Sequence, residues 1–339
     1  MRRTILAVVT AVFVRPGVFL ALAASLSLPL VVRAAPPATP PVSSARVTIL
    51  STMLAEASKE GTLFGEWGFS AVIEANGHRV LFDTGATPDT VLRNAEALGI
   101  DLSGITDVVL SHSHWDHTGG LVTLRRQLAK KNPAALSRAH VGPSFFWTRT
   151  SKEGKPYSPT AELRSAYEES GGKFIEHDGP AEVFPGVWLT GPIPRIHPER
   201  NYRTDILVKT PEGIAPDDVR DEISLVLDAT EGLVVVTGCG HSGIVNTLDA
   251  ARARVRDTKV ATVVGGFHLF GADDATLDWT GAQFKRTGVA HVIGAHCTGI
   301  EAIYRLRQAA GLDRKSCVVG AVGASYELGK GIDPGRLAR

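Results

Sequence analysis

The chain has 339 residues, 44% of them hydrophobic and 21% charged, with a formal net charge of +1. This ordinary globular composition excludes a disordered chain, and so small a net charge gives no bulk attraction to nucleic acid or to an anionic membrane surface. The 3 cysteines, Cys239, Cys297 and Cys317, are too few for a disulfide framework.

Arg2 and Arg3 precede an apolar run from Ile5 to Val14, and Arg15-Pro16-Gly17 separates it from a second run, Val18 to Val32. "VRAAPPATPP" follows, with Val32 and Ala34 placed like the −3 and −1 residues of a signal-peptidase site. The expectation is export, to the periplasm or beyond, with cleavage near Ala34 or Ala35. Because the two runs together exceed a usual signal, an uncleaved membrane anchor is the alternative, although neither alone has the roughly 18 residues that cross a bilayer. Residues 1–35 therefore stand apart as signal or anchor, and residues 36–45 read as a Pro-rich linker.

From residue 46 to 325 the chain reads as one α/β domain, with 326–339 as a tail. "ARVTIL" is a strand, and "FSAVIEANGHRVLFDTG" a hairpin turning at Asn76-Gly77. "DTVLRNAEALG" has helical spacing, with Pro88 just inside its start and a glycine stop. "TDVVLS" is a short buried strand. Residues 133–185 are looser, and "SFFWTRTSKEGKPYSP" reads as a long surface excursion over a site. Alternation then resumes: "EISLVLDATEGLVVVTG" is a hairpin, "IVNTLDAARARVR" a helix, "KVATVVGG" a strand, "TLDWTGAQFKRTG" a helix, "AHVIGA" a strand and "GIEAIYRLRQAAG" a helix. A hairpin followed by β-α-β alternation occurs twice, which predicts sheets with helices packed outside them, built as two similar halves.

The chemistry gathers at predicted strand ends. "SHSHWDHTGG" places His112, His114, Asp116 and His117 directly after an apolar strand, in a chain with 11 histidines. Neutral imidazole is the commonest nitrogen ligand for zinc. His112 and His114 converge readily on one ion, and Asp116 and His117 are close enough to reach a second beside it. More ligands are needed, and "VVVTGCGHSG", "TVVGGFHLF" and "VIGAHCTG" end strands at His241, His268 and His296. Cys239 and Cys297 lie beside these and read as small buried packing residues, with metal ligation as the alternative. His78, His140, His177, His197 and His291 have no motif around them and read as surface residues. Arg195 in "GPIPRIHPER" reads either as an anchor for an anionic substrate group or as a surface ion-pair residue.

"LFDTG", "SHSHWDHTGG", "TGCGHSG" and "GAHCTG", in this order, resemble the motif series of the metallo-β-lactamase fold. "EWGFSAVIE", "TGPIPR", "LVVVTGCGHSGIVN" and "GGFHL" are more similar to a branch described as dihydropterin-6-methyl-aminobenzene-phosphate synthase-like. The resemblance implies an αββα sandwich with the site between its halves. It implies that His112, His114 and His241 hold a first divalent ion and Asp116, His117 and His296 a second, zinc first with manganese or iron as alternatives, while Asp83 orients ligands through hydrogen bonds. Where the common pattern has a metal-bridging aspartate, this chain has His268. That residue is expected in the site, binding one ion or contacting substrate.

The function implied is hydrolysis of an ester-like or phosphoester small molecule by a metal-bound hydroxide, the ions lying about 3.5–4 Å apart, with Asp116 able to pass a proton. No G-x-S-x-G elbow points to a protein nucleophile. Two alternatives stand: a pterin-pathway synthase or transferase of the same fold, and a non-catalytic metal-binding or sensor protein. The second would have lost ligands, and all six are present. A redox diiron relative would carry Glu in place of His114 and an appended flavodoxin-like domain, and this chain has neither. The expected partner is a small-molecule substrate, with no nucleic acid, and a membrane only if the N-terminus stays uncleaved.

Overall fold

Period-two alternation builds the molecule. Strand Ala45–Ser51 turns Val47 and Ile49 to one face and Leu50 to the other, and the hairpin of Ser70–Ala75 with His78–Phe82 sets Ile73, Val80 and Phe82 against Val72 and Leu81. Leu225–Ala229 and Gly232–Thr237 divide in the same way, Leu225, Leu227, Val234 and Val236 facing oppositely to Val226, Leu233 and Val235. Each sheet is therefore apolar on both faces, and the chain packs around three cores. One lies between the sheets. A second lies under helices Thr90–Ala97, Leu121–Leu128 and Thr160–Glu169, and a third under Ile244–Arg254, Asp274–Thr287 and Ile300–Ala310. The result is the expected αββα sandwich. This computed structural model describes residues 39–56, 62–199, 202 and 205–337, so the N-terminal signal or anchor falls outside the described residues. Among the described residues no helix is long and apolar enough to cross a membrane.

The sheets have eight and seven strands, and a small four-stranded sheet joins Arg149–Thr150, Pro156–Tyr157, Leu207–Thr210 and Gly213–Pro216. In each large sheet an antiparallel hairpin leads into parallel strands: Asp107–Val109, Arg138–Val141 and Lys173–Glu176 in one, Val260–Gly265, His291–Gly294 and Cys317–Val319 in the other. Parallel strands present all their carboxyl ends on one side, where ligands collect in such sheets. The first hairpin turns through Asn76 and Gly77, at φ of +46° and +84°, as a two-residue turn with both central residues left-handed requires.

Several boundaries differ from the sequence reading. Helix Thr90–Ala97 has Asp89 as its N-cap, so Pro88 precedes the helix instead of opening it. The looser region 133–185 holds strands Arg138–Val141 and Lys173–Glu176 and helix Thr160–Glu169. Those strands are four residues long and each begins with a charged residue, which hid them. The tail 326–339 is not a tail: Ser325–Glu327 pairs with Ala45–Ser51, and Gly331–Asp333 completes that edge. Within the Pro-rich linker, Val42 is fully buried and donates its N–H to the Asp228 carbonyl at 2.7 Å. His140 is buried rather than at the surface, because its Nε2 meets the Asp107 carboxylate at 2.9 Å and its Nδ1 meets His177 at 2.9 Å.

One glycine brings two site-bearing strand ends together. A methyl group at Gly265 would lie 2.0 Å from the Thr237 carbonyl oxygen, and Gly265 sits at φ +128°. Gly265→Ala should lower stability by about 1–3 kcal/mol through overpacking; a urea denaturation midpoint equal to the parent's would refute this account of the strand junction.

Candidate metal centre

Every motif residue that the sequence reading singled out for metal follows the carboxyl end of a strand. His112 and His114 follow Asp107–Val109 in a loop. A single helical turn, Trp115–Thr118, then carries Asp116 and His117. His241 follows Gly232–Thr237, His268 follows Val260–Gly265, and His296 follows His291–Gly294. Those of the first half meet those of the second: the His112 ring lies 4.9 Å from His241, His114 lies 5.0 Å from His241, and His117 lies 5.0 Å from His296.

The nitrogens converge without partners. His112 Nε2, His114 Nε2, both ring nitrogens of His241 and both of His296 are buried and unbonded. Orphaned polar atoms at this density are costly unless something is bound to them. Asp116 Oδ2 lies 3.3 Å from His296 Nε2, without hydrogen-bond alignment, and 3.8 Å from His117 Nε2. Imidazole nitrogens and a carboxylate oxygen aimed at one another across a gap are the donor set of a divalent transition ion, so these residues fit the metal that the resemblance implies.

Charge in the site follows from burial and spacing. Burial and neighbouring imidazoles hold His112 and His241 far below the usual histidine range, and burial takes His114 to about 4. These rings are neutral, which is the metal-binding form. His117 differs. Burial opposes its charge, but Asp83 and Asp116 outweigh burial and lift it to about 9. The two carboxylates thus make His117 Nε2 a place for positive charge, whether a proton or a metal ion. Asp116 is itself buried, which disfavours its anion, yet His117 and His296 hold it well below the usual carboxylate range.

Asp83 lies under this arrangement. It accepts the Ser111 N–H, the Ser111 hydroxyl and His117 Nδ1–H, each at 2.7 Å, while His112 Nδ1 donates to Ser111 Oγ at 2.9 Å. One carboxylate therefore fixes the tautomer of two candidate ligands. The loop that follows is sewn to it: Thr84 N–H and Oγ1 both donate to the His117 carbonyl, at 2.8 and 2.9 Å. Asp83, His268 and His296 all adopt left-handed backbone, at φ of +55°, +48° and +48°, which costs a non-glycine residue about 1–3 kcal/mol.

Three acidic residues that the sequence reading passed over brace the histidine loops. Asp221 accepts the Ser113 N–H, between His112 and His114, at 2.7 Å. Glu222 accepts the N–H groups of His241 and Ser242 at 2.7 and 2.6 Å. Glu199 accepts those of Val245 and Asn246 at the start of the helix after His241. Asp221 is fully buried and is neutralised by Arg149, which also pairs with Asp217. The supposed surface excursion thus sends a guanidinium inward to support the site. Arg195 donates from Nη1 to the His241 carbonyl at 2.8 Å and from Nη2 to the Asp218 carbonyl, so it braces the same loop.

Above the ligands the wall is aromatic. Tyr202 packs on His241 at 4.1 Å and Tyr157 on His114 at 5.5 Å. Trp67 meets His296 at 5.0 Å and Phe270 at 5.9 Å, and both Trp67 and Phe270 are exposed. A cleft of about 750 Å³ opens between His268, Phe270 and Trp279, a size that suits a small organic molecule.

Comparison with known proteins agrees with this picture. The Metallo-beta-lactamase superfamily model matches residues 68–255. The chain is 33% identical over 242 residues to a 7,8-dihydropterin-6-methyl-4-(beta-D-ribofuranosyl)-aminobenzene-5'-phosphate synthase of Methanocaldococcus jannaschii, covering 69% of this chain and 81% of that protein. An uncharacterized protein of the same organism is 28% identical over 248 residues, covering 72% and 89%. The solved structure of Tm1679, described as a metal-dependent hydrolase of the beta-lactamase superfamily, superposes with a TM-score of 0.63 at 31% identity, over 78% of this chain and 93% of that one.

Because Asp83 orients two ligands at once, Asp83→Asn should weaken divalent-metal affinity by about 10–100-fold. Competition against a chromogenic chelator measures it, with circular dichroism confirming the fold; parental affinity in a folded variant would remove Asp83 from its orienting role.

Proposed function

This chain belongs to the metallo-β-lactamase superfamily, whose fold implies divalent-metal binding, and from that premise we propose that it is a binuclear metal-dependent hydrolase of a small ester-like or phosphoester molecule. The observation that carries the reading is the convergence of His112, His114, His241, Asp116, His117 and His296 from both halves, with buried ring nitrogens of His112, His114, His241 and His296 that have no protein partner. Bound by these residues, two divalent ions supply Lewis acidity to water and to the oxygens of a carbonyl or phosphoryl group.

The chain's own groups do the rest. His112, His114 and His241 hold one position, and Asp116, His117 and His296 the other. Asp116, kept ionised by its histidine neighbours, accepts and passes a proton at Oδ2. His268 lines the cleft, where its imidazole can donate to charge developing on the substrate. Trp67 and Phe270 offer flat apolar surface to a ring, and the tyrosines exclude water from the histidine layer.

A second reading, a synthase acting on a pterin-type substrate, is favoured by the 33% identity to the Methanocaldococcus jannaschii synthase and by the aromatic rim. Elemental analysis and a substrate panel separate the two. The expected results are two divalent ions per chain, zinc first, and turnover of phosphodiesters or lactones that a chelator abolishes and metal restores. A metal-loaded protein that leaves the whole panel intact while condensing a pterin would move the assignment to the synthase.

His268→Ala should keep its metal content and lose roughly 10²-fold in turnover, the cost of one hydrogen bond to developing charge. Loss of an ion would make His268 a ligand, and parental kinetics would remove it from the reaction.

A further inference from the structure

We propose that Cys239 is a sulfur ligand shared by the two metal positions, its thiolate occupying the bridging role that a carboxylate fills in the common pattern. The inference rests on the binuclear reading above and adds to it a ligand and a preference for the softer divalent metals.

Geometry singles out this side chain. Among the described residues, Cys239 Sγ lies within 4.8 Å of Asp116, His117 and His296 as one group and of His112 and His241 as another. No other residue belongs to both groups. The sulfur lies 3.2 Å from His117 Nε2, beside the unbonded nitrogens of His112, His241 and His296. Cys239 is 2% exposed and in no disulfide.

The local sequence is built for this approach. Gly238 and Gly240 flank the cysteine in "TGCGH". A methyl group at Gly238 would fall 2.0 Å from Ser111 Oγ, and Gly240 adopts φ +69°. The backbone can therefore press against the Asp83–Ser111 layer and deliver Sγ between the halves. Apolar packing alone would not require a side chain there to be surrounded by imidazoles and a carboxylate.

His268, at the place of the common bridging aspartate, groups with Cys239 and Cys297 only and not with either histidine set. Cys297 directs its S–H at the Cys239 carbonyl, 3.5 Å away, which makes it a support for the Cys239 backbone. The chain thus keeps both ligand triads, lacks the bridging carboxylate, and sets a sulfur between the triads. Metal binding would form the S–metal bonds as the thiol proton leaves to solvent. A thiolate donor favours zinc, iron or cobalt over magnesium or manganese.

Cobalt(II) titration of the reduced, metal-free full chain tests this. The expected result is a near-ultraviolet thiolate-to-cobalt charge-transfer band that grows with both the first and the second equivalent. Cys239→Ser should lose the band and bind the second cobalt at least 10-fold more weakly. Cys297→Ser should keep the band, and Cys239→Asp should recover two-ion binding without it. Circular dichroism of each variant checks the fold. Two bound cobalt ions with no band, or a band that survives in Cys239→Ser, would overturn the thiolate while leaving the six-ligand site intact. A band that grows with only one equivalent would overturn the sharing. A wild-type chain that binds no cobalt would overturn the binuclear reading itself.

Discussion

The Asp83 carboxylate has no exposed surface and accepts hydrogen bonds at 2.7 Å from Ser111 N, Ser111 Oγ and His117 Nδ1. Burying an unpaired anion is expensive, so a carboxylate in this position needs all of these donors. In meeting its own requirement it fixes the loop after Asp107–Val109 and the turn that carries His117. The first half of the site is therefore held in place by hydrogen bonds among its own residues. The second half is tied to the first by bonds that include Ile223 N–H to the Ser111 carbonyl at 2.8 Å, Ser113 N–H to Asp221 at 2.7 Å and His296 N–H to Thr52 Oγ1 at 3.0 Å.

Behind the histidines lies a ring of acids whose partners are main-chain N–H groups. Asp221, Glu222 and Glu199 each hold a loop that presents a ligand or begins the helix after one. Asp221 has a buried cation beside it, Arg149, and removing one member of such a pair leaves an uncompensated charge. The site is thus positioned by electrostatics between side chain and backbone as much as by packing.

That distinction explains how much the sequence disclosed. The candidate ligands that the structure gathers were legible because their spacing is local: "SHSHWDHTGG" holds four of them within six residues, and His241, His268 and His296 each follow a β-branched run. The sandwich was legible because alternation in "SAVIEA" or "LVVVT" declares two buried faces. Asp221 and Glu222 were not, since an acid bonded to the amide of a residue far along the chain looks like any surface acid. Strands Arg138–Val141 and Lys173–Glu176 were missed for a related reason: four residues beginning with a charge carry little periodicity, and only pairing to their neighbours makes them strands. Cys239 was read as packing from its size and burial, both of which hold; its neighbours across the sandwich belong to no sequence window.

The left-handed backbone at Asp83, His268 and His296 sets stability and activity at odds in the chain's evolutionary history. At each of these positions glycine would relieve the strain and remove the chemistry. Selection for folding alone would push His268 and His296 toward glycine, whereas the Asp83 carboxylate also holds its loop, and the proposed chemistry would be what keeps the two histidines in place. A descendant of this sandwich that has given up its reaction should show the change there first, as glycines at strand ends, well before its apolar cores begin to drift.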